Sequence, residues 1–217
     1  MPRARRSDGD ATKARILDAA GQLIAQNGWA QTTNKAIAKM AEADLAAINY
    51  HFEGRDGLYR AVLIEAHAHY LNEDRLREIA DSDVAAEDKL GILFETLIAK
   101  LHEKDVWHGK VFIREIFTPS PHLFNFFENE GARKFQIVRR IIASITGLNE
   151  NDPKILPCIF SVIAPCLILL MTGMPMPGPM QALNQLPSKQ LAQHFKVFSL
   201  AGLQAIAAQP TESAVND

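Results

Sequence analysis

The side chains best able to bind a metal or attack a substrate are seven histidines and two cysteines. His67 and His69 are two positions apart, so on a helix they point about 200° from each other and cannot bind one ion. Cys158 and Cys166 are eight positions apart, about 80° around a helix and about 12 Å along it, which is too far for a disulfide. The sequence has no glycine-rich nucleotide loop and no GxSxG, HExxH or CxxC motif. These patterns predict no enzyme, no metal site and no cofactor, and they predict free, buried thiols in a reducing cytoplasm.

The apolar residues of the chain recur almost everywhere with a helical period, and no strand pattern extends beyond a few residues. We therefore predict an all-α fold of about nine helices. The first strong amphipathic helix is expected at residues 10–27, ended by Gly28. A long helix is expected from residue 55 to residue 80, because neither proline nor glycine occurs between Leu58 and Val84.

The segment 152–172 is apolar on almost every side, and such a helix must be covered on every side. Its prolines and its borderline length favour a buried helix over a membrane span. We predict that it pairs with the last helix, 188–208, across the two-fold axis of a homodimer, with full burial inside one chain as the alternative. The expected interface residues are Ile159, Ile163, Leu167, Phe195, Phe198 and Leu203.

Large aromatic and sulfur-containing side chains recur in the middle of the chain. They are core residues by default, but together they can also line a cavity for an apolar ligand. The candidate pocket residues are Trp107, His108, Phe112, Phe117, Phe124, Phe127 and Met171. Beside them, Arg114 and Glu115 are expected to form a surface pair, with a polar spot in the pocket as the alternative.

Residues 32–59 have the pattern of two short helices joined by a tight turn. Thr33 and Asp44 occupy N-cap positions, and the turn itself is only Glu42 and Ala43. Two helices joined so closely must cross, which is helix-turn-helix geometry. Residues 1–60 contain nine Lys and Arg against seven Asp and Glu, although the whole chain has a net charge of −2. The basic N-terminal arm, which includes Arg5 and Arg6, suits contact with phosphate.

This stretch closely resembles the DNA-binding domain of the TetR family of transcriptional regulators over about residues 10–60. The sequence NYHF followed by GLYRAV is similar to the CecR-type branch of that family. Family members usually have glycine where Glu42 stands, and a side chain there costs about 1 kcal/mol if φ is positive. They also usually have tyrosine where Asn49 stands. The matching positions are Thr33, Ile37, Ala38, Ala41, Ile48, Asn49, Tyr50, His51, Phe52, Arg55, Leu58 and Tyr59.

The resemblance implies that the second of the two helices enters a major groove about 12 Å wide. Ala46 and Ala47 are small enough to bring the backbone close to the bases, and Asn49 can pair with adenine or bond a phosphate. Tyr50, His51 and Arg55 correspond to the family's phosphate-contacting positions. The residues expected at DNA are Arg5, Arg6, Thr33, Lys35, Leu45, Ala46, Ala47, Asn49, Tyr50, His51 and Arg55.

We expect a DNA-binding domain at 1–56, a ligand-binding and dimerisation domain at 57–210 and a disordered tail at 211–217. The expected function is that of a cytoplasmic homodimeric regulator without membrane association. It would repress at a palindromic operator until a small, largely apolar effector moves the helix 55–80. The alternatives are a helical enzyme or carrier for an apolar molecule without DNA binding, and a constitutive DNA-binding dimer without a ligand.

Overall fold

The computed structural model describes the backbone of residues 3–103, 107–172 and 178–210, and the side chains in these ranges except 3–7, 171, 172 and 184. Every regular element in this part of the chain is helical, which confirms the all-α prediction. The elements are α1 (Arg3–Asn27), α2 (Asn34–Met40), α3 (Leu45–Phe52), α4 (Arg55–Tyr70), α5 (Glu73–Asp81), α6 (Ala86–Leu101), α7 (His108–Phe117), α8 (Pro121–Phe126), a π-helical turn (Phe127–Gly131), α9 (Ala132–Thr146), α10 (Ile155–Thr172), α11 (Pro179–Asn184) and α12 (Ser188–Ala207).

The predicted unbroken helix from residue 55 to residue 80 is wrong. It consists of two helices, α4 and α5, separated at Leu71 and Asn72. The Asn72 side chain accepts a hydrogen bond from the Arg75 amide at 3.0 Å and so caps a new helix. A capping asparagine can begin a new helix where the chain has neither glycine nor proline. A search for those two residues alone therefore misses the break.

Helix α1 extends beyond its predicted start at residue 10, and a π-helical turn, Phe127–Gly131, separates α8 from α9. Helix α1 begins at Arg3, so Arg5 and Arg6 lie in its first turns and not in an extended arm. Their side chains, and the predicted tail at 211–217, lie outside the described residues.

The chain divides into two compact units. Unit 1 comprises Met1–Tyr70 and Lys104–Ala132, and unit 2 comprises Leu71–Glu103 and Arg133–Asp217. The core of unit 1 is formed by α1 to α4 together with α7; its members include Ile16, Ile37, Ile48, Leu58 and Val111. The helix-turn-helix thus shares one core with α4 and α7. The predicted boundary after residue 56 does not coincide with a boundary between these units.

In unit 2, α6 packs along α12, and α10 lies against both. Phe94 of α6 meets Phe195 of α12 edge to face, with ring centroids 5.8 Å apart. Cys158 and Cys166 of α10 are buried free thiols, as predicted. Burial raises the pKa of both thiols, that of Cys166 to about 12. Of the helices described, none has the length and apolarity needed to cross a membrane.

Candidate nucleic-acid interface and effector site

Both helices of the helix-turn-helix begin at the predicted caps. The Thr33 hydroxyl oxygen accepts a hydrogen bond from the Ala36 amide at 3.2 Å, which starts α2. An Asp44 carboxylate oxygen accepts from the Ala46 amide at 2.7 Å, which starts α3. Between the helices, Glu42 has a φ of 48°, the left-handed conformation that favours glycine. The φ of Glu42 is therefore positive, which is the case in which a side chain at this position costs about 1 kcal/mol.

Helix α3 has one face in the core and one in solvent. Ile48 and Phe52 anchor it, with exposures of 0% and 6%. Because Leu45, Ala46, Asn49 and Tyr50 follow one another at helical spacing, they share the opposite, exposed face. We call these four residues the α3 face. Tyr50 is its most prominent member, with 84% of its surface exposed.

The other predicted DNA-binding residues surround this face unequally. Ala47 is half-buried against the core of unit 1, and His51 is half-buried with its ring edge-on to Tyr50 at 4.9 Å. Thr33 and Lys35, at the start of α2, are exposed. Six of the eleven predicted residues are therefore exposed and near one another in the chain, namely Thr33, Lys35, Leu45, Ala46, Asn49 and Tyr50.

Arg55 occupies a different position from the predicted phosphate contact. Its guanidinium donates one hydrogen bond to the Thr32 carbonyl at 2.6 Å and another to the Trp29 carbonyl at 2.8 Å. It also lies 4.0 Å above the centre of the Trp29 ring, a cation–π contact. The fork of donors that would grip a phosphate is directed at backbone carbonyls of its own unit. The motif specifies an arginine at this position but not which acceptors it finds.

Glu115 is a buried carboxylate and not the predicted partner in a surface pair, since only 4% of it is exposed. One of its oxygens accepts a hydrogen bond from the Tyr59 hydroxyl. The other accepts from the Ser120 amide at 3.2 Å and from the Ser120 hydroxyl at 2.7 Å. Burial, followed by the bond to Glu115, raises the pKa of Tyr59 far above its ordinary value. The Tyr59 ring also stacks on Trp29, with centroids 4.3 Å apart.

Three of the predicted pocket residues are packed inside unit 1. The Trp107 indole N–H donates to Asp18 at 2.9 Å, and a side chain at Gly21 would overlap the indole ring. His108 stacks between Trp107 and His69, with centroid distances of 3.9 Å and 4.0 Å. Phe112 is 8% exposed and meets His67 edge to face at 5.1 Å. These contacts are those of a packed aromatic wall on α7.

Three further pocket predictions differ from the structure. Phe117, Phe124 and Phe127 are 66%, 63% and 47% exposed, so they do not enclose a cavity within the chain. Their positions at the ends of short helices leave the direction of the ring undetermined by sequence spacing. The side chain of Met171 lies outside the described residues. Two open grooves, of about 420 Å³ and 250 Å³, lie in unit 2 and are lined by none of the predicted pocket residues.

The predicted dimer-interface residues separate into buried and exposed groups. Ile159 and Leu203 are 1% and 2% exposed and belong to the core of their own chain, which corrects their assignment. Ile163 and Phe195 are half-buried, whereas Leu167 and Phe198 are exposed. A helix apolar all round gives no periodic signal for which side its own chain covers, so the sequence could not separate the two groups.

The exposed apolar side chains of α10 and α12 form a recognisable pattern. On α10, Leu156, Phe160 and Leu167 are four and seven residues apart, which places them on one side of the helix, and Ile168 adjoins Leu167; on α12 the exposed residues are adjacent. They include four residues that sequence reasoning missed, Leu156, Phe160, Ile168 and Val197. We call the set of Leu156, Phe160, Leu167, Ile168, Val197 and Phe198 the α10/α12 face.

A capped helix-turn-helix anchored by its inner face and exposing its second helix defines the class of helix-turn-helix DNA-binding proteins. Residues 16–62 match the family described as "Bacterial regulatory proteins, tetR family". Residues 86–203 match the "HTH-type transcriptional dual regulator CecR, C-terminal domain". The chain belongs to the TetR family of transcriptional regulators, with a CecR-type C-terminal domain. The family resemblance predicted from the sequence is thereby confirmed.

A curated relative is also described as a helix-turn-helix transcriptional regulator. The chain is 26% identical to the probable HTH-type transcriptional regulator YttP of Bacillus subtilis in an alignment of 139 residues that covers 57% of this chain. The match spans 66% of that protein's length, just under two thirds.

Two solved structures of regulators bound to acyl-coenzyme A compounds share the fold. The regulator FadR of Bacillus subtilis in complex with stearoyl-CoA superimposes with a TM-score of 0.59 at 15% identity, over 87% of this chain and 98% of FadR. AibR, in complex with isovaleryl coenzyme A and operator DNA, gives 0.61 at 17% identity, over 86% of this chain and 97% of AibR.

Proposed function

We propose that the protein is a ligand-responsive repressor that binds a palindromic operator as a homodimer in the cytoplasm. The observation that carries the DNA-binding part is the α3 face. Its four residues point away from a core in which Ile48 is 0% exposed, so the helix is held rigidly while its outer side stays open. A rigid, outward-facing helix is what insertion into a major groove requires.

The side chains of the α3 face suit both kinds of DNA contact. Ala46 is small and permits close approach of the backbone, and Asn49 carries the amide donor and acceptor that match adenine. The exposed Tyr50 hydroxyl can donate to a phosphate, as can the exposed Thr33 and Lys35 at the start of α2. Phosphate contacts fix the position of the protein, and Asn49 supplies sequence preference.

The homodimer is supported by the α10/α12 face. Phe198 and Phe160 are 74% and 61% exposed, and large aromatic groups gain most from removal of water. A two-fold axis through this face would bring identical side chains together, as in a self-complementary interface. Such a dimer has two α3 faces, which fit a palindrome if they lie about 34 Å apart.

A largely apolar effector is supported by the comparison with FadR and AibR, which bind stearoyl-CoA and isovaleryl-CoA, respectively. For this chain we propose an effector with an acyl or similar apolar part, bound beside α7. The aromatic rings of Trp107, the N-cap residue of that helix, and Phe112 are suitable neighbours for such a group. An effector shifts DNA binding only if it binds the non-fitting conformation more tightly.

The proposal is tested by retardation of DNA from upstream of the protein's own coding sequence. We expect binding at low salt and a steep fall in affinity as salt rises, because lysines and arginines displace counterions from the phosphates. A scrambled fragment of equal length is the control. Failure to retard any upstream fragment at low salt would leave the helical enzyme or carrier as the better explanation. Binding that no acyl compound alters would favour the constitutive regulator.

A further inference from the structure

Residues 28–33 join α1 to α2, and we call them the connector. The Thr32 hydroxyl donates to the Gly28 carbonyl at 2.8 Å, and the Thr32 amide donates to the Trp29 carbonyl at 3.2 Å. Arg55 donates to the carbonyls of Trp29 and Thr32 from the start of α4. Because Thr33 caps α2, the position of the connector sets where the helix-turn-helix begins.

Helix α7 reaches this connector through two buried side chains and the half-buried Trp29. Glu115 accepts a hydrogen bond from the Tyr59 hydroxyl, and the Tyr59 ring lies against the Trp29 indole with only 9° between the ring planes. Trp29 also contacts the Arg55 guanidinium, which lies 4.0 Å from the centre of its ring. Tyr59 and Glu115 are 2% and 4% exposed, so water cannot replace the bond between them. Movement of Glu115 must therefore either draw Tyr59 with it or leave a buried carboxylate with fewer donors.

A second contact from the same helix supports the same connection. Gly28 has a φ of 79°, and a Cβ atom there would lie 2.9 Å from a terminal nitrogen of Arg114. The Arg114 side chain thus passes directly over the first residue of the connector. Adjacent residues of α7 therefore approach both Gly28 and, through Tyr59, Trp29. A cation is also favourable here, at the carbonyl end of α1.

We propose that Glu115 is a positioning residue that sets the connector, and with it the α3 face, through Tyr59 and Trp29. This inference rests on the proposed function, since it supplies the route by which an effector beside α7 alters DNA binding. Helix α7, together with its N-cap residue Trp107, carries both the aromatic wall of Trp107, His108 and Phe112 and the two residues that reach the connector. A small displacement of α7 is thereby passed to the helix-turn-helix within unit 1.

A double-mutant cycle between Tyr59→Phe and Arg55→Lys tests the route. Tyr59→Phe removes the hydroxyl that bonds Glu115 but keeps the ring that stacks on Trp29. Arg55→Lys keeps the positive charge but removes the fork that holds the connector carbonyls. The Tyr59 ring and the Arg55 guanidinium both contact the Trp29 indole, so we expect the effects of the two substitutions to depend on each other. We expect the loss of affinity for the upstream DNA fragment in the double variant to differ from the product of the single losses by at least about threefold.

Asp18→Asn combined with Arg55→Lys is the matched control, because Asp18 holds the Trp107 indole in the same unit but is not part of the route. Here we expect the losses to multiply. If the losses of DNA affinity also multiply in the cycle of Tyr59→Phe and Arg55→Lys, the proposal is overturned. This holds even if urea unfolding shows that the two substitutions are coupled in stability. If the wild-type protein binds no DNA, the proposed function fails. The same double-mutant cycle is then measured on the equilibrium constants of unfolding in urea, and coupling or its absence there decides whether Glu115 acts on the connector.

Discussion

The guanidinium of Arg55 lies 4.0 Å above the indole of Trp29 and donates to the carbonyl of that same residue at 2.8 Å. One side chain thus holds both the ring and the backbone of Trp29, the second residue after α1. The family resemblance assigns this arginine to DNA, whereas its contacts in this chain place it in the packing of the helix-turn-helix. The difference changes what its replacement should do.

We expect Arg55→Ala to lower the free energy of unfolding by about 2–3 kcal/mol. Two charge-assisted hydrogen bonds are lost, and the carbonyls of Trp29 and Thr32 are left without this partner. Urea unfolding followed by circular dichroism measures the change, with the exposed neighbour Arg60→Ala as control. If Arg55→Ala were as stable as Arg60→Ala and only bound DNA more weakly, the original assignment to phosphate would be restored.

Tyr50 and Asn49 should separate affinity from sequence preference. Because Tyr50 is 84% exposed, Tyr50→Ala should leave the melting temperature unchanged while weakening operator and random DNA alike, by roughly tenfold. Asn49→Ala should instead reduce the preference for the operator, by about 1–3 kcal/mol, because one base contact is lost. Fluorescence anisotropy with both DNAs measures the two effects. Equal losses on both DNAs for both variants would contradict the division of roles.

Glu42→Gly should stabilise the protein by about 0.5–1 kcal/mol. The φ of 48° is strained for a residue with a Cβ atom, and relief of that strain exceeds the entropy that glycine adds to the unfolded chain. Glu42→Ala is the control: it removes the same charge but keeps the strain, so it should not stabilise. Thermal melting at low protein concentration reports both. A gain shared by the alanine variant would point to charge and not to backbone conformation.

Phe198→Glu should convert the dimer into a folded monomer. Phe198 is 74% exposed in the single chain, so the charge disturbs no core of its own subunit but would be buried at the proposed interface. Sedimentation velocity measures the change in mass, and Val84→Glu, at an exposed apolar residue outside the α10/α12 face, should remain dimeric. A wild-type monomer, or a dimeric Phe198→Glu variant, would contradict the interface.

Stability should fall as the pH rises above about 9, in part because of Cys166. Its pKa is about 12 in the folded protein and ordinary in the unfolded chain, so between these values only the unfolded chain loses the proton. The stabilisation is complete below the unfolded pKa and is lost as the pH approaches the folded one. Cys166→Ala should therefore show a shallower decline in melting temperature between pH 8 and pH 10.5, values chosen on either side of the ordinary thiol pKa. Parallel declines would exclude this contribution.

Local signals in the sequence predicted the DNA-binding part well. Thr33 and Asp44 were identifiable as caps, and Gly28 as a helix end, because each acts on neighbours within a few residues. The inward position of Ile48 and the outward position of Tyr50 likewise follow from one short helix of known period. Such features need no knowledge of distant parts of the chain.

The residues whose surroundings differ from the prediction depend on distant partners. Whether Arg55 binds phosphate or carbonyl depends on Trp29, 26 positions away, and the burial of Glu115 depends on Tyr59, 56 positions away. Ile159 and Phe160 are adjacent and equally apolar, yet their exposures are 1% and 61%. Their exposures differ because other helices pack against only one side of α10, and the residue types do not indicate which side that is.

The overlap that a side chain at Gly21 would make with Trp107 has an evolutionary consequence. Helix α1 can approach α7 this closely only while residue 21 has no Cβ atom. In a descendant of this sequence, a larger residue at position 21 becomes acceptable only after position 107 has lost its bulk. The order of the two substitutions is therefore fixed, and related sequences should vary at these positions as a pair.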